Sequence, residues 1–153
     1  MFERILALFS GASDFETPLP MADAQHALGA LMVRAAKADK AYLFEEVEQI
    51  DAVLAKLNDL NPVEAAKMRA GCERLEEEMP ATEDLAGILE MAITQADRER
   101  AVAALWSIVF ADGVERVEED ELVDAVAKSL GVSAAVSKAL HDQEAAKRPP
   151  LRS

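Results

Sequence analysis

Four acidic residues fall in two matching frames. Displacing the chain against itself by 73 residues lays Ala38-Asp39 on Ala111-Asp112, Glu45-Glu46 on Glu118-Glu119 and Glu48 on Glu121. The match continues with Asp51-Ala52-Val53 on Asp124-Ala125-Val126 and Leu57 on Leu130. Each frame reads as the end of one helix, an Ala-Asp turn and the acidic start of another. Carboxylates in this number suit a hard divalent cation with oxygen ligands, calcium or magnesium. Asp39, Glu46, Asp112 and Glu119 are the candidate ligands, converging if the two hairpins pack about an approximate twofold axis. Neither frame is an EF-hand. A loop opened by Asp112 puts Val114, Arg116 and Val123 where oxygen is needed, and one opened by Asp39 puts Ala41, Leu43 and Ile50 there.

A plainer chemistry competes with the metal. Asp39 and Asp112 can accept hydrogen bonds from turn amides, while Glu46 and Glu119 complement the positive ends of helix dipoles. The two Asp residues stand at helix C-termini, where the dipole opposes negative charge, so something must compensate. Arg34, Lys37, Lys40 and Arg116 are the cations at hand.

Helices must do the positioning, because apolar residues recur at i, i+3, i+4 and i+7 and no stretch alternates for long. The stripes are Leu28, Leu31, Met32 and Ala35; Val47, Ile50, Leu54 and Leu57; Met68, Cys72, Leu75 and Met79; Leu85, Ile88, Leu89 and Ile93; Val102, Leu105, Trp106 and Val109; and Leu122, Val126 and Leu130. The punctuation agrees. Asn61-Pro62-Val63-Glu64 opens a helix with a capping box and a proline at its first position, and Met79-Pro80 closes it. Thr94 with Asp97 is a second capping box, in a place where the preceding helix also has the option of running on. Gly131 suits a left-handed C-cap, and Ser133 caps a last helix ending near Ala146. These signs predict an all-α fold, a compact bundle of about seven or eight helices containing two pseudo-symmetric hairpins. Residues 1–146 read as one domain, with a short first helix and a Gly/Pro-bearing linker over 1–20 and a loose tail over 147–153.

Composition narrows the function. With 29 Asp and Glu against 16 Lys and Arg, the net charge of −13 repels phosphates, which excludes general nucleic-acid binding. The single cysteine, Cys72, lies on an apolar stripe and cannot make an internal disulfide, so a cytoplasmic location is expected. The N-terminal stripe of Phe2, Ile5, Leu6 and Phe9 is far short of a membrane span; it is expected to pack on its own bundle, with peripheral contact to a membrane or a partner as the alternative. His26 and His141 lack a second His at ligand spacing, and His141-Asp142-Gln143-Glu144 reads as a solvated helix face. Glu76-Glu77-Glu78 reads as a solvated helix end, and Trp106 as core. No nucleophile or acid–base constellation appears, so an enzyme is not expected. Two function classes remain, a divalent-metal-binding protein and an interaction module that docks basic protein partners on the acids between Asp112 and Asp124. Glu115 and Asp120 are expected on the solvent side of that face.

The two Ala-Asp hairpins, the intervening Asp97-Arg98-Glu99-Arg100, Leu105-Trp106, Ala111-Asp112-Gly113 with Glu119, and the Leu-Gly-Val-Ser ending at Ser133 resemble the tellurite-resistance B (TerB-like) family over residues 27–133. The resemblance implies an all-helical bacterial domain associated with tellurite and stress-response systems, with a proposed acidic metal-binding site and no established catalysis. It carries the acidic signature onto Asp39, Glu46, Asp112 and Glu119. One departure stands out: Lys40 occupies a turn position where the family commonly has Gly. Its ammonium beside the acids would weaken a metal site in the first copy.

Overall fold

The computed structural model describes residues 23–38 and 40–147. Among these residues the regular structure is helical throughout, as seven helices: α1 (Ala24–Ala36), α2 (Phe44–Asn58), α3 (Pro62–Glu78), α4 (Thr82–Ala92), α5 (Gln95–Val109), α6 (Val117–Ser129) and α7 (Ala134–Lys147). The expected first helix, the linker and residues 148–153 lie outside the described residues, as does Asp39.

Helix α1 is the centre of the bundle. Its stripe widens into a nearly continuous apolar surface, with Ala27, Leu28, Ala30, Leu31, Met32, Val33, Ala35 and Ala36 all buried. Helices α2 to α6 each pack on it. A helix apolar on most of its circumference has to be enclosed in this way. Leu54 and Ile50 from α2, Cys72 and Leu75 from α3, Leu85 and Leu89 from α4, and Val102, Leu105 and Ile108 from α5 complete the core. Leu57, expected on the α2 stripe, stays half exposed because the helix ends over a shallow apolar pocket that it shares with Leu28 and Leu89.

The helix ends are set by their side chains. Asn61 and Glu64 make the reciprocal capping box, each accepting from the other's backbone N–H at 2.8 and 2.9 Å. Thr94 caps α5 by accepting from Asp97 N–H at 3.3 Å, so α4 and α5 are separate helices. Ser133 accepts from Val136 N–H at 3.2 Å and starts α7, which runs to Lys147. Two arginines serve C-termini, where the dipole favours a cation. Arg98 donates to the carbonyls of Glu90 in α4 and Leu130 at the end of α6. Arg34 donates to the Glu76 carbonyl at 2.7 Å and to its carboxylate at 3.1 Å, with Lys37 completing the cluster at 2.9 Å. This corrects the reading of residues 76–78 as a solvated end. The Glu76 side chain is only 13% exposed, while Glu77 and Glu78 face solvent.

Candidate functional site: the paired acidic turns

The 73-residue repeat is written into the backbone. Helix α1 ends at Ala36 and α5 at Val109, 73 residues later, and the N-caps of the following helices, Leu43 and Arg116, stand in the same relation. Ala38 donates to Ala35 O at 3.2 Å and Ala111 to Ile108 O at 3.1 Å; Lys40 donates to Lys37 O at 2.8 Å and Gly113 to Phe110 O at 3.0 Å. Both turns pass through the left-handed region at matching residues, Lys40 with φ 69° and Gly113 with φ 81°. Glycine enters that region freely and lysine does not, so the departure noted in the first copy is a strained version of the same turn.

The two glutamates are the most telling residues. Glu46 in the first turn of α2 and Glu119 in the first turn of α6 are both 0% exposed, alone among the described glutamates and aspartates. Glu46 Oε1 accepts from the Leu43 N–H at 2.9 Å, half of a capping box whose other half Leu43 cannot supply. Burying an ionised carboxylate is costly unless hydrogen bonds, a cation or a proton offset the loss of water.

Asp112 follows the plainer chemistry. Its Oδ1 accepts from Val114 N–H at 3.0 Å, closing an Asx turn, and its Oδ2 accepts from Arg116 Nη1 at 2.7 Å. Arg116 is the compensating cation that an Asp at a helix C-terminus requires. Arg34 and Lys37, the other cations at hand, are committed to Glu76 instead, and Lys40 is exposed.

Of the four candidate ligands, Glu46, Asp112 and Glu119 are described and Asp39 is not. Among the described residues no three His, Cys, Asp or Glu side chains form a group placed to hold a metal ion. The donors fit a hard divalent cation in type, since all are carboxylates and two are shut away from water. A carboxylate oxygen that accepts one hydrogen bond keeps a second lone pair for a ligand contact. A cation would have to share Asp112 with Arg116 or displace it.

Sequence reasoning missed the surroundings of Glu115 and His141. His141 lies in α7 on the inward row of Ser137 and Glu144, both buried, and its side chain is 22% exposed. Of the expected solvated face, Asp142 and Gln143 are exposed, whereas His141 and Glu144 turn inward. His141 Nε2 meets Glu115 Oε2 at 2.7 Å and its Nδ1 meets Asp142 Oδ1 at 2.8 Å. The ring stands edge-on to Trp106 and Phe110, with centroids 4.8 and 5.1 Å away. Glu115 is exposed as expected, but it is bonded to His141 and to Asp120, and Asp120 is partly buried rather than on the solvent side. Burial and then the Glu115 carboxylate push the Asp120 carboxyl up to about 7. Burial acts upward on Glu115 too, but its hydrogen bonds to Asp120 and His141 outweigh it and hold that carboxyl below its ordinary value. The spacing Ser137, His141, Glu144 at i, i+4, i+7 was the available signal. Trp106 is core as expected, 3% exposed, with its Nε1 donating to Ser137 Oγ at 3.1 Å.

An all-helical domain with a duplicated hairpin, each copy carrying an acidic turn and a buried glutamate, is the class of protein that fold and site define. The family model of tellurite resistance protein TerB matches residues 25–142, and the chain belongs to that family. No curated protein and no solved structure matches the chain. No described helix is long and apolar enough to cross a membrane.

Proposed function

We propose that this TerB-family chain is a non-catalytic, cytoplasmic, bacterial stress-response protein whose paired acidic turns take up a divalent cation, calcium or magnesium, through Asp39, Glu46, Asp112 and Glu119. The observation that carries the reading is the complete burial of Glu46 and Glu119 at equivalent places in the repeat. One buried glutamate is readily explained by helix capping. Two, each two residues past the start of its helix and each following a turn with an Asp, place the same oxygen donors at equivalent positions of both copies, a donor set suited to a hard cation. The cation's role is electrostatic and structural: it would neutralise the carboxylates and bind the two hairpins together.

Thermal melts with calcium, with magnesium and with chelator test this. At a cation concentration 100 times the dissociation constant, binding adds about 2.7 kcal/mol to stability. For a chain of this size that raises Tm by roughly 5–10 °C. Asp112→Asn should reduce the rise more than Asp39→Asn, because Lys40 already weakens the first copy. Equal Tm with cation and with chelator refutes the reading. That result would leave the second one, in which the exposed Glu118, Glu121 and Asp124 of α6 dock basic protein partners without metal.

A further inference from the structure

The cation reading makes no use of His141, yet the ring has an environment that only one protonation state satisfies. Neutral imidazole carries one N–H and one bare nitrogen, and a bare nitrogen facing a carboxylate is repulsive. Here both ring nitrogens face carboxylate oxygens, Glu115 at 2.7 Å and Asp142 at 2.8 Å. Either the ring bears two protons or one acid is protonated. The second arrangement is disfavoured. Hydrogen bonding to His141 holds Asp142 below its ordinary value, and Glu115 is held down as well, the proton of the Glu115–Asp120 pair residing on Asp120.

The placement gives that charge a mechanical role. Glu115 lies in the turn between α5 and α6, three residues past Asp112, whereas His141 lies in α7. Both residues line a cleft of 760 Å³ together with Trp106, Ala127 and Val132. The other ionisable groups around it are Asp120, Asp124 and Lys128 from α6 and Lys138 and Asp142 from α7. The ring also meets the uncharged Trp106 of α5 and Phe110 just past its end. Lys138 is drawn toward Asp142, at 3.5 Å, which leaves Glu115 to the ring.

We propose that His141 is a proton-operated latch that fastens α7 to the turn before α6, beside the cleft lined by Trp106, while the ring is protonated. Loss of the proton removes one of the two hydrogen bonds and the ion pair, and α7 loosens at its contact with that turn. Burial acts to lower the His141 pKa, but the bonds to Asp142 and Glu115 prevail and raise it above 6.5. A raised value in the folded state means that the latch stabilises fully below 6.5 and is lost as pH rises through the folded value. Asp120 changes in the same direction between 3.8 and about 7, so a pH-stability curve alone does not separate the two.

The sequence supplies cleaner probes, having two histidines and one tryptophan. Titration of the imidazole carbon–proton resonances of the intact protein should give a His141 midpoint above 6.5. In Glu115→Gln that midpoint should fall by about one pH unit. Trp106 emission should change with the His141 midpoint in the wild type and follow it downward in Glu115→Gln. In His141→Gln the change at that pH should disappear. A His141 midpoint at or below 6.5, a midpoint unmoved in Glu115→Gln, or Trp106 emission flat across the titration would overturn the proposal. Glu115→Gln keeps the test decisive even if His141→Gln does not fold.

Discussion

Gly29 and Cys72 mark the tightest approach between α1 and α3, and adding one methyl group there should be felt. A Cβ on Gly29 would stand 2.3 Å from Cys72 Sγ, 3.2 Å from Cys72 Cβ and 3.5 Å from Leu54 Cδ2. Carbon and sulfur rest near 3.5–4 Å apart, so the first contact is short by more than about 1 Å. Cys72 is fully buried, which leaves its sulfur little room to turn aside. Overpacking of this kind costs about 1–3 kcal/mol, against which alanine returns about 1 kcal/mol through its better helix propensity. A clash of more than about 1 Å against a buried sulfur falls in the upper part of that range, about 2–3 kcal/mol, so Gly29→Ala should destabilise by about 1–2 kcal/mol, a fall in Tm of roughly 2–8 °C. Cys72→Ala removes the obstructing sulfur and should also destabilise on its own, by leaving a small void. Combined, the two changes should be less harmful than their sum, with a coupling of at least about 0.5 kcal/mol. Urea melts of the four proteins measure this. If Gly29→Ala is as stable as the wild type, or if the effects simply add, α1 and α3 do not meet as described.

The twin turns predict opposite outcomes at equivalent positions. Lys40→Gly relieves a left-handed lysine and should raise stability by about 0.5 kcal/mol, whereas Gly113→Ala should lower it by about 1 kcal/mol. Denaturant midpoints decide this, and a loss in both variants would show that the turns are not alike. Burial pushes the Cys72 thiol up to about 12, with Asp23 and Glu73 adding to the effect. At neutral pH its reaction with a chromogenic disulfide should therefore follow unfolding of the bundle, and labelling of the folded protein within seconds would contradict the packing.

Much of the fold was legible because helix boundaries here are chemical. Asn61, Pro62 and Glu64 announce α3, Thr94 separates α4 from α5, and Gly131 with Ser133 divides α6 from α7, each by satisfying specific backbone groups. The repeat was legible for a similar reason, since its Asp and Glu recur at fixed distances along the chain. The long-range charge partners were not. That Arg34 turns to the end of α3, 42 residues away, depends on which helices meet, and local sequence carries no record of that, whereas Arg116 reaches Asp112 within one turn at a spacing the sequence shows. Glu46 and Glu119 look like ordinary acids of a first helical turn, and their burial arises only from helices packed around them. Polar residues on an inward row, such as Ser137 and His141, interrupt the apolar pattern that marks a buried face. The row was accordingly read as solvent-facing.

The enclosure of α1 also bears on synthesis of the chain. Its apolar surface is covered by helices from both sides of the repeat, and the α6 residues that belong to its core, such as Val126, lie roughly ninety residues downstream. At translation rates of about 5–20 residues per second, the ribosome needs roughly 5–20 s to make the intervening chain. During that interval α1 has only α2 to α4 and then α5 to shield it. The nascent protein thus presents a sticky helix to the cell before its last cover is made, and ribosome-associated chaperones have a defined segment to guard.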